Sequence, residues 1–290
     1  MHNQSVNRRP TALVVALLLL FTLPAKHAYA TGDLPGALTF GGVQRTYVLH
    51  APAGVQHPSA LVLNLHGGSQ TGRKQAAATN YNAIADQYGW VVAYPDGIDF
   101  SWADGRGAAA PDRQGVDDVG FLATLIGRLT HDYGIPPGRV FVTGMSAGGF
   151  MANRLACERP DLVAAIAPVS STLGVNVHCN PSKPVSVLAI HGTADKVVPY
   201  KGGRMIGRGG ASTVVSAPTM VDRWLAFDRC PPATTTSIDG GKRLVAFGCA
   251  DGTEVTFVTI DGWGHTWPLG RATAFDASQA SAQFFAAHGA

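Results

Sequence analysis

Residues 139–150 read Arg-Val-Phe-Val-Thr-Gly-Met-Ser-Ala-Gly-Gly-Phe, and no other stretch restricts the fold as strongly. An apolar, β-branched run of strand length leads into Gly-x-Ser-x-Gly, and the helix formers Met151, Ala152, Arg154 and Leu155 follow at once. Ser146 must therefore sit where a strand turns sharply into a helix, the arrangement of a nucleophile elbow. Gly144 and Gly148 lack the Cβ atoms that would clash when the serine backbone is strained, and Gly149 lets the new helix pack closely. The strain presents the serine hydroxyl at the end of the strand.

A strand that feeds a helix implies an α/β chain, and the rest of the sequence agrees. The protein has 290 residues, 46% hydrophobic and 14% charged, which suits one core-rich α/β domain. Its start is different in kind. Arg8 and Arg9 precede an apolar block over 12–23, and Ala28-Tyr29-Ala30 has the small-x-small form of a cleavage site. The block is shorter than the roughly 20 residues of a spanning helix. A signal peptide over 1–30, a catalytic domain over 31–290, and a secreted or periplasmic product with no stable membrane anchor are therefore expected. Of the 22 basic residues, Arg8, Arg9 and Lys26 fall in the leader and no acidic residue does, so the remainder balances at 19 of each sign. A nucleic-acid partner has no electrostatic support.

Along the remainder, 44–50 alternates as an entry strand and 60–65 is a nearly continuous apolar run, as a strand buried on both faces should be. A short helix over 80–88, a strand over 90–94 and a long loop over 98–115 carrying Trp102 come next. Asp117 is placed to cap a helix with Val119, Leu122, Ile126, Leu129 and Tyr133 along one face and Gly134 as its stop. Beyond the elbow, strands are expected at 164–169, 185–190, 243–247 and 254–260, and helices at 218–227 and 278–287. The glycine-rich segment 202–210 reads as mobile. Strand and helix alternate without internal repeat, which predicts one mostly parallel, doubly wound sheet.

A serine needs a base within hydrogen-bond reach and a carboxylate that fixes the base's tautomer. With the nucleophile on an elbow, the partners follow in the order acid, then histidine. His265 falls late, on a Gly- and Trp-rich turn, and is the expected base. His66 precedes the serine and His191 sits at the foot of the acid loop, so both read as shaping their loops; His288 belongs to the terminal tail and His178 abuts Cys179. Asp195 follows an apolar strand through a small-residue turn and is the expected acid. Asp222, Asp228, Asp251 and Asp261 read as solvated or capping groups. The oxyanion donors should be the amide of Ala147, at a helix N-terminus, and that of Gly68, with Ser69 in reserve. Trp102, Trp263 and Trp267 offer a wall for an aromatic acyl group or a sugar. Cys157, Cys179, Cys230 and Cys249 are an even set without close Cys-x-x-Cys spacing, so disulfides rather than a metal site are expected. Pairing 157 with 179 and 230 with 249 encloses one local segment each.

The runs 65–70 (Leu-His-Gly-Gly-Ser-Gln), 94–97 (Tyr-Pro-Asp-Gly), 115–121 (Gly-Val-Asp-Asp-Val-Gly-Phe), 144–149, 190–195 (Ile-His-Gly-Thr-Ala-Asp) and 264–268 (Gly-His-Thr-Trp-Pro) together resemble the secreted polyhydroxybutyrate depolymerase and feruloyl esterase family. The resemblance implies the α/β-hydrolase fold, Ser146, Asp195 and His265 as a triad, and a carboxylic ester as substrate, with no metal or organic cofactor. Many members carry cysteine where this chain has Gly68, and depolymerases of solid polyester often add a binding module through a Thr- or Ser-rich linker. Gly68 leaves no disulfide to staple the oxyanion loop, and the lack of such a linker and module favours soluble esters over solid polymer. Hydrolysis through an acyl-enzyme is the expected reaction. Acyl transfer to a sugar by the same triad, or a non-catalytic binding protein on this scaffold, are the alternatives.

Overall fold

The computed structural model describes Met1 and residues 32–270 and 274–289. The expected leader and its cleavage point near Ala30 lie, Met1 apart, outside the described residues. In chain order the elements are β1 (Gly32–Phe40), β2 (Val43–Ala51), β3 (Leu61–Leu65), α1 (Gly72–Thr79), α2 (Tyr81–Tyr88), β4 (Val91–Pro95), α3 (Ala110–Arg113), α4 (Asp118–Tyr133), β5 (Val140–Met145) and α5 (Ala147–Glu158). They continue with β6 (Ala165–Val169), β7 (Ser186–Gly192), β8 (Gly203–Gly207), β9 (Gly210–Val214), α6 (Ala217–Phe227), β10 (Thr234–Ile238), β11 (Gly241–Ala246), β12 (Val255–Ile260) and α7 (Ala277–His288).

Ten of the strands form one sheet in the order β1-β2-β4-β3-β5-β6-β7-β12-β11-β10. The six from β4 to β12 run parallel, and antiparallel strands close both margins. This is the predicted mostly parallel α/β sheet. Its central strands read as unbroken apolar runs because both faces are covered: every residue of β3 and of β4 is buried. Successive side chains still point to opposite faces. Leu61, Leu63 and Leu65 enter the core under α4, α5 and α6, while Val62 enters the one under α2 and α7. Phe285 of α7 stacks on Phe141 of β5 at 4.8 Å between ring centres, a contact worth about 1 kcal/mol beyond burial. Asp117 caps α4 by accepting the Gly120 N–H at 2.7 Å, and Gly134 ends it in the left-handed conformation, both as expected.

Parallel strands put their C-terminal ends on one edge, so the segments after β3, β5 and β7 converge there. The loop over 98–115 is drawn to the same edge by a buried ion pair. Arg45 on β2 donates to Asp118 Oδ1 at 2.6 Å, while the other carboxylate oxygen accepts the Ala103 N–H at 2.8 Å. Two disulfides, Cys157 with Cys179 and Cys230 with Cys249, have the expected connectivity. With sequence separations of 22 and 19, each restricts the unfolded chain by about 3 kcal/mol in the chain-entropy model.

The structure departs from the sequence reading in several places. Strand β1 and helix α1 were not foreseen, and the helix read over 80–88 is preceded by another whose exposed polar residues leave no apolar stripe. The segment 202–210 is not a loose glycine tract. It holds β8 and most of the turn into β9, and Met205 and Val214 of this hairpin pack against Phe150 and Val198. Asp228 is no solvated group: it is fully buried at the end of α6, one oxygen accepting the Val185 N–H and the other without a partner among the described residues.

Burial of Asp228 pushes its carboxyl up to about 7, only partly offset by the Val185 amide and Arg229. A folded pKa above the unfolded one means that this group's contribution to stability is present in acid and lost as pH rises toward 7. Asp228→Asn, which keeps the acceptor and cannot ionise, is therefore expected to raise Tm by several degrees at pH 8 and by almost nothing at pH 4. Thermal melts across that range measure it, and a constant difference at both ends rules the explanation out.

Candidate active site

Ser146 occupies the turn between β5 and α5 with φ 53° and ψ −119°, a region that a residue with a Cβ rarely adopts. The conformation is held from both sides. The Ser146 N–H donates to the Val169 carbonyl at 3.0 Å, and its own carbonyl accepts the Phe150 N–H as α5 begins. Glycine is required where the helix meets the sheet: a Cβ on Gly148 would stand 2.1 Å from the Leu65 carbonyl oxygen, and one on Gly144 2.7 Å from the Gly148 carbonyl carbon. The elbow is thus closed by backbone against backbone, with Ser146 at the positive end of α5.

Asp195 lies on the turn after β7 with its side chain buried, and both of its carboxylate oxygens are hydrogen-bonded. Oδ1 accepts the N–H groups of Val197 and Val198, both at 2.9 Å, and Oδ2 accepts Nδ1 of His265 at 2.7 Å. Burial would raise its pKa. The hydrogen bond and charge of His265, with the two amides, outweigh that and hold the carboxyl below its usual range. Nδ1 of His265 therefore carries the proton and Nε2 is left as the basic nitrogen.

Ser146 and His265 line one cleft of about 160 Å³, together with Gly68, Ser69 and Ala147. Asp195 is joined to that cleft through His265, and among the described residues the imidazole makes no hydrogen bond to the serine hydroxyl. Larger cavities of about 260 and 590 Å³ lie elsewhere and contain neither residue, so size does not mark the site.

The loop after β3 is fixed by His66. Its Nε2 accepts the Gly97 N–H at 2.9 Å and its Nδ1 donates to the Gly67 carbonyl at 2.8 Å, which makes the ring neutral; burial lowers its pKa, in keeping with that. The loop-shaping role expected of His66 has this physical form. His191 is likewise buried, with Nε2 bonded to the Val198 carbonyl at 2.9 Å, and steadies the loop that carries Asp195. Of the two amides considered on the 66–70 loop, Ser69 is spent: its N–H donates to the Phe100 carbonyl at 2.9 Å. Gly68 and Ala147 line the cleft beside Ser146.

The tryptophans do not form a substrate wall. Trp102 is completely buried, donates from Nε1 to the His66 carbonyl at 2.9 Å, and packs on the His66 ring. Trp267 is 8% exposed and bonded to Ser278 in the core beneath α7, and Trp263 packs against the same core. Loop position suggested exposure, but these rings serve the core. The other carboxylates, Asp222, Asp251 and Asp261, are exposed, and His288 ends α7 with Nε2 3.3 Å from Glu254. Several cleft residues went unnoticed in the sequence, among them the two arginines, Arg106 and Arg208. Arg208, on the turn between β8 and β9, donates to the Asp99 carbonyl and carboxylate at 2.7 and 2.8 Å. A link across 109 positions leaves no local signal.

The family model described as esterase PHB depolymerase matches residues 45–200, which include Ser146 and Asp195 but stop short of His265. Among its relatives, the chain is 32% identical over 255 residues to a putative esterase, NocK, of Nocardia uniformis subsp. tsuyamanensis, covering 79% of this chain and 72% of that protein. It is 29% identical over 232 residues to feruloyl esterase B of Piromyces equi, covering 76% of this chain but only 42% of that protein. Among solved structures, the acetyl xylan esterase from Aspergillus awamori superposes with a TM-score of 0.60 at 16% identity, over 87% of this chain and 99% of that one, a likeness of fold.

Proposed function

Because the chain belongs to the esterase PHB depolymerase family, we propose that it is a serine carboxylic ester hydrolase with Ser146 as nucleophile, His265 as base and Asp195 as the acid that orients it. The observation that carries this reading is the Asp195 to His265 hydrogen bond of 2.7 Å, which leaves a basic nitrogen in the cleft that also holds a strained, elbow-borne serine. His265 takes the serine proton as Oγ attacks the ester carbonyl, and the Ala147 and Gly68 amides receive the developing oxyanion. His265 then protonates the leaving alcohol, and water cleaves the acyl-enzyme by the same steps in reverse. The serine and imidazole close their hydrogen bond when substrate enters, since such contacts are commonly loose in an empty site.

Feruloyl-type esters and hydroxybutyrate-type oligoesters are the substrate classes the relatives suggest, and the small cleft favours soluble esters over a solid surface. Two disulfides fit an exported protein, and among the described residues no helix is long and apolar enough to cross a membrane. Sulfonyl fluoride treatment tests the nucleophile: a single adduct on the peptide containing Ser146, with loss of turnover on methyl ferulate and hydroxybutyrate trimer, is expected. Full turnover after complete labelling would overturn the assignment. Product analysis with added alcohol or sugar separates transfer from hydrolysis.

A further inference from the structure

Among the described residues, the cleft around Ser146 and His265 is lined by two guanidinium groups, Arg106 and Arg208, and by no carboxylate. Each arginine is tied to an aspartate that does not line the cleft. Arg106 donates from Nε and Nη2 to the two oxygens of buried Asp104, at 2.9 and 2.6 Å, with its plane 4.0 Å over the Phe150 ring. Arg208 donates from Nε and Nη2 to Asp99. In both, Nη1 is the nitrogen left over, and its acceptor is poor. That of Arg106 meets the Met205 thioether at 3.3 Å, and that of Arg208 meets the Ser69 hydroxyl at 3.4 Å. A guanidinium held in place with one donor edge facing a sulfur atom or a long hydroxyl contact matches a carboxylate far better than it matches either.

The position of the arginines selects a side of the scissile bond. The alcohol must leave past His265, which protonates it. Arg208 instead packs against Gly68, where a Cβ would be 3.3 Å from its own, and Arg106 covers Phe150 in the first turn of α5 behind Ser146. We infer that the ester this site prefers carries a carboxylate on its acyl portion, received by Nη1 of Arg106 and Nη1 of Arg208, which makes half-esters of short dicarboxylic acids its substrate class. The inference rests on the hydrolase reading above. The reaction balances as ester hydrolysis: the acyl C–O bond breaks, water supplies OH to the acyl carbon and H to the alcohol, and the new acid releases one proton.

The test compares monoethyl glutarate with ethyl pentanoate, which differ by a carboxylate in place of the terminal methyl, following proton release at constant pH. The half-ester is expected to show a kcat/KM about tenfold or more above that of the neutral ester, the scale of a hydrogen bond to a charged group. Free glutarate should inhibit competitively at lower concentration than pentanoate. Arg208→Gln, at a partly exposed side chain, should cut the half-ester preference about tenfold. Arg106→Lys keeps the charge that Asp104 needs but loses the fork, and should also reduce it. Hydrolysis of 4-nitrophenyl acetate with no preference for the half-ester, or a preference unchanged in both variants, overturns the inference and leaves the hydrolase reading standing. No turnover of any ester overturns both.

Discussion

Ser146→Ala is expected to lower kcat on a short chromogenic ester by about 10⁵-fold or more, with Tm unchanged or slightly raised. A loss of that size corresponds to about 7 kcal/mol of transition-state stabilisation. The substitution removes only Oγ. The backbone bonds that hold the turn, from the Ser146 N–H to Val169 and from the Phe150 N–H to the Ser146 carbonyl, do not involve the side chain. Stopped assays at high enzyme concentration with a melt on the same sample give both readings. Turnover within tenfold of the parent would remove Ser146 from the nucleophile's role, whereas collapse of the melt would show that the hydroxyl is structural.

Asp195→Asn should cost about 10⁴-fold in kcat with the fold intact, because the site dictates which way the new amide points. Val197 and Val198 both aim N–H groups at Oδ1, so the asparagine oxygen must stay on that side. Its NH₂ is then forced toward Nδ1 of His265, which must become an acceptor. The proton moves to Nε2, and the ring can no longer take one from serine. KM should change little, since Asp195 does not line the cleft. Equal losses for Asp195→Asn and Asp195→Ala would fit a tautomer effect plus lost orientation. An asparagine variant near parent activity would mean that another acid serves His265.

Much of this site was legible because its geometry is enforced locally. The elbow announces itself through β-branched residues before Gly144 and glycines after Ser146, and the reason is now explicit in the contacts that a Cβ would make with Leu65 and Gly148. His265 and Asp195 followed from chain order and from apolar strands that end just before their loops. What could not be read has equally specific causes. Helix α1 is held by Thr71 at its start and by a buried bond from Gln75 to Asn64, not by an apolar face, so periodicity is silent there. The β8–β9 hairpin is short and glycine-rich, and the residues that seat it, Phe150 and Val198, lie in other segments. Trp102 was misjudged because burial of a loop residue depends on what folds over it, and Asp228 because an acid beside a helix end is ordinarily exposed.

The Cys157–Cys179 crosslink reaches into α5, the helix that begins at the nucleophile. A bacterial cytoplasm used for overproduction keeps thiols reduced, so material made there would lack this tether and its companion. The shortfall, about 3 kcal/mol for each link, is a large share of a typical domain's 5–15 kcal/mol margin. Enzyme from such a host should therefore inactivate sooner on warming than enzyme recovered from an oxidising compartment, and thermal comparisons between preparations mean little until their thiol content has been counted.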